Sequence, residues 1–225
     1  MKRIIIAIDG PAASGKSTTA RLVAEQLGYL HVDTGAMYRA LTLKVLRENI
    51  DVGDVDAVGA VAVRTRIRLQ KDNGTLRVML DGDEVTEDIR TLAVTRHVSL
   101  ISSYQSVREA MVREQRALGE QSGVVLEGRD IGTVVFPTAD LKIYMVARVE
   151  ERARRRLKEL EGQGVRGDLE GIKADIIRRD EYDSGRALSP LRRAGDAVVL
   201  DTSELTVDQQ VEFIVQKARE MIGRQ

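Results

Sequence analysis

A glycine-rich octapeptide near the start of the chain constrains its fold more than any other segment. Residues 10–17 read Gly-Pro-Ala-Ala-Ser-Gly-Lys-Ser and follow the apolar run Ile-Ile-Ile-Ala-Ile at 4–8. The spacing G-x-x-x-x-G-K-S between a buried strand and a helix is typical of a loop whose backbone N–H groups surround nucleotide phosphates. A glycine turn that merely joins a strand to a helix is the alternative, and the complete match to the spacing disfavours it. The octapeptide therefore predicts a binding site for a nucleoside triphosphate.

The residue types in this loop indicate what each position does. We expect Lys16 to neutralise the β and γ phosphates of the nucleotide, and the Ser17 hydroxyl to bind Mg²⁺. No cluster of histidines and carboxylates has the spacing of metal ligands, so we expect Mg²⁺ to arrive with the nucleotide. The predicted nucleotide-binding residues are Gly10, Pro11, Ala12, Ala13, Ser14, Gly15, Lys16, Ser17 and Thr18.

Composition excludes several classes of partner. The chain has 225 residues, enough for one α/β domain with small subdomains. It carries 35 basic and 35 acidic residues, so no overall field attracts nucleic acid or an anionic membrane. It lacks cysteine, so neither a disulfide framework nor a thiolate zinc site is possible. No apolar run approaches the ~20 residues needed to cross a bilayer. We expect a cytoplasmic monomer that acts on small molecules, with neither nucleic acid nor membrane as a partner.

The order of apolar and amphipathic segments predicts the fold class. A short strand at 29–32 and a helix at about 36–48 follow the loop and its helix, which makes a βαβα pattern. Near-continuous apolar runs at 123–127 and 141–146 are typical of central parallel strands, and 196–201 predicts a fifth strand. We therefore predict an α/β protein of the P-loop type, with three layers and a five-stranded parallel sheet.

The middle of the chain departs from this pattern. Residues 65–69 and 76–80 alternate polar and apolar side chains on either side of Asn73-Gly74, which is a strong hairpin signal. Another turn and a short strand follow at 81–85. We predict a small antiparallel sheet inserted at roughly 64–88, from which two helices return the chain to the core.

Arginines near the predicted strand ends indicate a second anionic ligand. Phosphoryl transfer requires positive charge fixed around the moving group and exclusion of water. Arg39 and Arg129 each follow a predicted strand, and Arg179 and Arg186 lie in a later polar segment. Each alone would be expected on a solvated or salt-bridged surface, but together they favour an anionic substrate that faces the phosphate loop. Asp33 is equally well interpreted as a helix cap or as a site residue.

A further arginine-dense stretch at 148–156 includes Arg152. Glycines follow it at 162, 164, 167 and 171, which favours a mobile lid that closes arginines over phosphates. An exposed helix with salt bridges along its surface is the alternative. Interleaved glutamates disfavour a nucleic-acid or membrane-facing surface.

Four segments, in this order, resemble the bacterial cytidylate kinases within the nucleoside monophosphate kinases. Residues 8–18 are similar to the phosphate loop of that family, including its variable positions. Residues 33–39 resemble its D-[ST]-G-A-x-Y-R, residues 127–133 contain its G-R-D-I-G-T, and residues 179–186 resemble its R-D-x-x-D-x-x-R. The resemblance spans nearly the whole chain and is far more specific than the loop alone.

This resemblance implies a division into three parts. They are a kinase core of residues 1–63 and 121–225, a monophosphate-binding insert with returning helices at 64–120, and a helical lid within about 148–186. It also implies a set of acceptor-binding residues by matching positions: Thr34, Tyr38, Arg39, Ser99, Arg108, Arg129, Asp130, Arg179, Asp183 and Arg186.

Some of these positions carry an implied role. Arg129 would clamp the acceptor phosphate, Asp130 with Ser99 would read the cytosine edge, Arg108 would lie near the base, and Asp183 would contact the ribose. The implied catalytic residues are Lys16, Arg39, Arg129 and Arg152.

The implied reaction is in-line transfer from ATP to CMP or dCMP, assisted by Mg²⁺, in pyrimidine nucleotide metabolism. A carboxylate at 130 accepts hydrogen bonds from the cytosine amine, whereas uracil would oppose it with a carbonyl oxygen. Mismatches of this kind reject an analogue by ~10⁴ or more.

Kinases for UMP, AMP or shikimate remain alternatives, as does a nucleotide-hydrolysing switch, which would leave the arginines without a role. A nucleic-acid-dependent ATPase would need a basic surface that zero net charge disfavours.

Overall fold

A computed structural model of the protein describes residues 3–72, 75–120, 123–162, 164–165 and 167–223. A 3₁₀ turn at Asp88–Arg90 and a π-helical turn at Ile131–Val135 accompany its strands and helices. The strands and helices follow one another in this order: β1 (Ile5–Asp9), α1 (Lys16–Leu27), β2 (Leu30–Asp33), α2 (Thr34–Arg47), α3 (Val55–Arg64), β3 (Ile67–Asp72), β4 (Thr75–Leu80), β5 (Asp83–Glu84), α4 (Leu92–Ile101), α5 (Gln105–Gly119), β6 (Val124–Gly128), β7 (Leu141–Val146), α6 (Val149–Gly162), α7 (Leu169–Gly185), β8 (Val198–Asp201) and α8 (Val207–Gly223).

The predicted five-stranded sheet is confirmed, with the strand order β2-β6-β1-β7-β8. Strand β1 pairs in parallel with both β6 and β7, and β7 pairs in parallel with β8. The middle strands are buried on both faces because helices cover them, which explains their uninterrupted apolar sequences. Asp9 lies beside Gly128 on one neighbour and Tyr144 on the other, so these three strands end at one edge of the sheet. Loops at that edge are where ligands bind in open α/β sheets.

The chain divides into two compact units. The first unit comprises Met1–His31 and Gly119–Gln225, and the second comprises Val32–Leu118. In the first unit, apolar side chains of β1, β7 and β8 pack with those of α1 and α8 in one core. In the second unit, α2 packs with β4, the 3₁₀ turn and α4 around a smaller core. Among the residues that the structure describes, no helix has both the length and the apolar character needed to span a bilayer.

The predicted hairpin is also confirmed. Strands β3 and β4 pair antiparallel from Ile67–Leu80 to Asp72–Thr75, and the short strand β5 adds to β4. The turn residues Asn73 and Gly74 lie outside the described residues.

Helix α3 and the π-helical turn have no counterpart in the sequence prediction. The segment of α3 contains four valines and a glycine, which are poor helix formers. The helix forms because the Asp54 side chain accepts a hydrogen bond from Ala57 N (2.9 Å) and because Val58, Val61 and Ala62 are buried on one face. Capping and burial here override local propensity.

Candidate active site

The phosphate loop connects β1 to α1 in the first unit, and two glycines determine its path. Gly10 adopts φ +154°, and a Cβ there would lie 2.1 Å from the backbone oxygen of Met145 on β7. Gly15 adopts φ +96° and directly precedes the first residue of α1. A side chain is therefore excluded at Gly10 by the close approach and disfavoured at Gly15 by its backbone conformation. The N-terminal N–H groups of α1 and its dipole favour an anion at this loop.

Lys16 is buried within the loop that it follows. Its Nζ donates hydrogen bonds to Pro11 O (2.6 Å) and Ser14 Oγ (3.2 Å), and the residue is only 6% exposed. Burial, followed by the neighbouring charge of Arg129, lowers the pKa of Lys16 to about 7, although Glu127 and Asp9 oppose the shift. A desolvated cation beside a second cation is stabilised by an added anion, so this arrangement fits the phosphates of a nucleotide.

Ser17, the predicted magnesium ligand, lies against an acidic side chain at the end of β6. Its Oγ donates to Glu127 Oε2 (2.7 Å), and Glu127 Oε1 lies 3.1 Å from His31 Nε2. Hydroxyl and carboxylate oxygens are ligands of Mg²⁺ in proteins, and the phosphates of a nucleotide would supply the remaining ligands. Within the described ranges, no group of three or more histidines or carboxylates could hold a metal ion. These residues fit a metal that shares its ligands with the nucleotide.

Asp9 links the start of the phosphate loop to the turn after β6. Its two carboxylate oxygens accept hydrogen bonds from Ile131 N and Gly132 N, each at 2.8 Å. Burial raises the pKa of Asp9 to about 6, although the two backbone hydrogen bonds lower it. Asp130 directly precedes the π-helical turn and is 4% exposed. One buried carboxylate thus fixes the backbone that directly follows the sequence Gly128-Arg129-Asp130.

Three predicted site residues form one ionic cluster. Arg129 Nε donates to Asp183 Oδ2 (2.8 Å), and Arg186 Nη2 donates to Asp183 Oδ1. The Asp183 side chain is 2% exposed. Burial would raise the pKa of Asp183, but Arg129, Arg186 and Arg179 outweigh burial and hold that pKa below its ordinary value. The first unit therefore brings together Arg129, Asp183 and Arg186, with the charge of Arg179 nearby.

Two arginines of α6 hold carbonyl groups of the phosphate loop. Arg152 Nη1 lies 2.6 Å from Asp180 Oδ2 and donates to Ala12 O (3.3 Å). Arg155 Nη1 donates to Ser14 O (3.2 Å). Other arginines of this stretch form ion pairs with nearby glutamates of the same helix: Arg154 with Glu151, and Arg156 with Glu159. The stretch thus contains both phosphate-loop contacts and helix-surface ion pairs.

In the second unit, Tyr38 and Arg39 lie on α2. The Tyr38 ring centroid is 5.7 Å from Cζ of Arg108 on α5, within the range of a cation–π contact. Arg39 Nη1 donates to Thr95 Oγ1 on α4 (2.9 Å). The unit therefore brings Tyr38 and Arg108 together and holds the Arg39 guanidinium against α4.

The remaining predicted residues of this unit have simpler surroundings. Asp33 Oδ1 accepts a hydrogen bond from Ala36 N (2.9 Å), so Asp33 caps α2. Thr34 is buried at the first position of α2, and Ser99 is half-buried on α4. The cap supports the structural interpretation of Asp33.

Sequence reasoning gave no role to four residues that contact the site: Asp9, Glu127, Thr202 and Gln210. Asp9 and Glu127 had a detectable signal, because each is acidic at the end of an otherwise apolar strand. Thr202 and Gln210 had none, since their partners Ser14 and Thr19 lie 188 and 191 positions away in the chain.

Comparison with known proteins adds to this geometry. The family model "Cytidylate kinase" matches residues 6–220. The cytidylate kinase of Geobacillus kaustophilus is 50% identical over 222 residues, covering 99% of each chain. That of Chloroherpeton thalassium is 48% identical over 230 residues, covering 99% of this chain and 96% of the relative. A crystal structure of an uncharacterised protein from Eubacterium ventriosum shares the fold, with a TM-score of 0.55 at 13% identity over 97% of this chain and 99% of the other.

Proposed function

The chain belongs to the cytidylate kinase family, and from this premise we propose that it transfers the γ-phosphoryl group of ATP to CMP and dCMP. The proposal rests on a sequence identity of about 50% to cytidylate kinases over nearly the full length of the chain, together with a buried Lys16 in a phosphate loop. A phosphate loop alone would be equally compatible with hydrolysis.

At the donor side, we assign the β and γ phosphates of ATP to the loop of residues 10–18. Lys16 is the principal cation, and backbone N–H groups of the loop hold the remaining oxygens. The lowered pKa of Lys16 supports this assignment, because bound phosphate would restore full protonation of the amine.

We assign Mg²⁺ to Ser17, supported by the Glu127 carboxylate that holds the Ser17 hydroxyl. When bound, the metal would neutralise charge on the phosphates and orient them. Glu127 fixes the rotamer of Ser17 and so determines where its oxygen lies.

At the acceptor side, we assign Arg129 to the phosphate of CMP and Asp130 to the cytosine edge. We assign Asp183 to the ribose, with Arg179 and Arg186 contributing charge from α7. Both Asp183 oxygens already accept hydrogen bonds from arginines, but a carboxylate has about four acceptor positions, so a ribose hydroxyl fits as a further donor.

We assign five further residues to the acceptor nucleotide. The support is their match to the family motifs or to its spacing, and for Tyr38 and Arg108 their mutual contact. The five are Thr34, Tyr38, Arg39, Ser99 and Arg108.

The transfer itself requires no phosphorylated side chain. Lys16, Arg129, Arg39 and Arg152 are the proposed catalytic cations, which offset the repulsion between two anionic substrates as the acceptor oxygen attacks in line. Arg152 is held by Asp180 and Ala12 O at the loop, which supports its assignment.

Initial rates with ATP and a panel of acceptors test the proposal. We expect kcat/KM for CMP and dCMP to exceed that for UMP by at least about 100-fold, because a carboxylate opposed to the uracil carbonyl disfavours binding. We expect the same margin over AMP and shikimate, which lack the cytosine edge assigned to Asp130. Comparable rates with another acceptor, or ATP hydrolysis independent of any acceptor, would exclude this function.

The variant Lys16→Ala tests the role of the loop lysine in phosphoryl transfer. Its transfer rate should fall at least about 1,000-fold while its circular dichroism spectrum stays unchanged. Lys217→Ala is the control, because Lys217 is half-buried on α8 and pairs with Glu220 of the same helix. Its replacement should leave the rate within about twofold.

A further inference from the structure

Thr202, the first residue after β8, contacts the phosphate loop from its buried side. Its relative exposure is 0%, and its Oγ1 lies 2.9 Å from Ser14 O and 3.1 Å from Val146 O. Its backbone N–H donates to Val146 O (2.8 Å), so β7 fixes the position of the threonine. The hydroxyl is therefore held in place by the central sheet rather than by a free loop.

Arg155 of α6 completes the same cluster. Its Nη1 donates to Thr202 Oγ1 (3.0 Å) and to Ser14 O (3.2 Å), and its Nη2 donates to Thr202 O. Because the Thr202 oxygen accepts a hydrogen bond from Arg155, its own hydrogen is directed to a carbonyl, and Ser14 O is the nearer one. The Ser14 carbonyl thus receives one neutral and one charged donor.

Covalent geometry transmits this constraint to the face of the loop that binds phosphate. A trans peptide is planar, so the N–H of Gly15 points opposite to the carbonyl of Ser14. Holding the carbonyl toward Thr202 and Arg155 therefore holds the Gly15 N–H on the other side of the loop.

Gln210 of α8 lies close to Gly15. It accepts a hydrogen bond from Thr19 Oγ1 (2.8 Å), and a Cβ on Gly15 would lie 3.2 Å from its Oε1. The Ser14–Gly15 segment is thus held at its carbonyl by Arg155 of α6 and packed at Gly15 by Gln210 of α8.

We propose that Thr202 and Arg155 are positioning residues that orient the Ser14–Gly15 peptide for nucleotide binding, and that Arg155 serves this role instead of contacting phosphate. The proposal rests on the proposed function for the identity of the donor, ATP. It predicts that loss of either side chain weakens ATP binding and leaves acceptor binding intact.

The first test compares Thr202→Val with Thr202→Ser, by direct titration of ATP in the absence of an acceptor. Valine has nearly the shape of threonine but no hydroxyl, whereas serine keeps the hydroxyl. We expect Thr202→Val to raise the Kd of ATP about tenfold or more, and Thr202→Ser to stay within about threefold of the wild type. The KM of CMP at saturating ATP should stay within about twofold in both, a split that general loss of folding would not produce.

The second test compares Arg155→Met with Arg154→Met. Both remove one positive charge from α6, but Arg154 is exposed and pairs with Glu151. Arg155→Met should weaken ATP binding by a similar factor to Thr202→Val, and Arg154→Met should leave it unchanged. The double variant Thr202→Val/Arg155→Met should be less impaired than the product of the single effects, because both side chains act on one carbonyl.

Wild-type ATP affinity in Thr202→Val, or equal losses in Thr202→Val and Thr202→Ser, would overturn the proposal. If Thr202→Val does not fold, Arg155→Met carries the same prediction, and its normal ATP affinity would overturn it. These outcomes are separate from failure of the proposed function, since ATP binding is measured without CMP and the acceptor panel is measured on the wild type.

Discussion

At the scale of single residues, the first unit buries acidic and basic groups close to one another. Lys16, Asp9 and Asp183 are each less than 10% exposed, and burial disfavours the charged form of each. Asp183 overcomes this penalty through its arginine partners, whereas Lys16 and Asp9 keep strongly shifted pKa values. For Lys16 this cost falls where the nucleotide phosphates are proposed to bind, and strongly shifted pKa values are a recurrent feature of functional sites.

The pKa of Lys16 makes ATP binding dependent on pH. In the free protein this pKa is about 7, and bound phosphates raise it. Between pH 7.5 and 9 the complex therefore holds more protons than its free components. We expect ATP affinity to fall as pH rises, by up to about tenfold per pH unit. Calorimetry in two buffers of different ionisation enthalpy should show proton uptake on binding at pH 8.

Lys16→Arg is the control for this linkage. Arginine stays charged throughout this range, so the affinity of that variant should be nearly constant between pH 7.5 and 9. A wild-type affinity that does not vary over this interval would contradict the assigned protonation change.

At the scale of elements, the turn Ile131–Val135 depends on a carboxylate from another strand. A π-helical turn is uncommon and is enriched at functional sites. Its first two N–H groups donate to Asp9, which also precedes the phosphate loop. The phosphate loop and the turn that follows Gly128-Arg129-Asp130 are therefore joined through the Asp9 side chain.

Asp9→Asn should separate activity from stability. The amide has one acceptor oxygen, so its NH₂ group faces a backbone donor and the turn shifts. The pKa of Asp9 is raised to about 6 even with both hydrogen bonds in place, so its charged form costs about 3 kcal/mol of folding free energy at pH 7, which a neutral amide avoids. We expect the free energy of unfolding to stay unchanged or to rise by up to about 3 kcal/mol, and kcat/KM for CMP to fall at least about tenfold.

Asp140→Asn is the matched control for that variant. Asp140 Oδ2 accepts a hydrogen bond from Ile5 N (2.9 Å), at the opposite end of β1. Initial rates should show normal catalysis for Asp140→Asn, and chemical denaturation measures the stability of both variants. Equal catalytic losses in both variants would indicate that Asp9 acts only through the stability of β1.

The elements also differ in how far local sequence predicts them. The hairpin of β3 and β4 was predictable because alternation and an Asn-Gly turn lie within a few residues of each other. Helix α3 was not, because its valines and glycine oppose a helix locally and only the Asp54 cap and the buried face stabilise it. The turn at Ile131–Val135 was not predictable either, since Asp9 is 122 positions from Ile131.

At the scale of the whole molecule, nucleotide binding should raise the thermal stability of the chain. A ligand that binds only the folded state at 100 times its Kd adds about 2.7 kcal/mol. For a chain of this length, that corresponds to a rise in Tm of roughly 5–10 °C. Differential scanning fluorimetry with ATP measures it. Lys16→Ala should show little rise at the same ATP concentration, and an equal rise would place ATP away from the loop.

The sequence predicted the fold class and the loop but not the strand order. Each parallel strand could be identified from its own apolar run, whereas the order β2-β6-β1-β7-β8 depends on pairings between distant segments. In the site, Lys16 and Ser17 followed from a contiguous motif. The supports of the loop did not, because Thr202 and Gln210 are ordinary polar residues. The role of Thr202 depends on the end of β8 reaching Ser14, and that of Gln210 depends on α8 packing against α1.

The attachment of α6 to the loop carbonyls limits which part of this helix could move. Arg152 and Arg155 bind the carbonyls of Ala12 and Ser14, so the first two turns of α6 are held against the phosphate loop. Motion of α6 relative to the phosphate loop must therefore begin after Arg155, and motion of α7 would have to break the ion pairs of Asp180 with Arg152 and of Asp183 with Arg129. An insertion in α6 after Arg155 would lengthen the helix without changing its contacts with the phosphate loop.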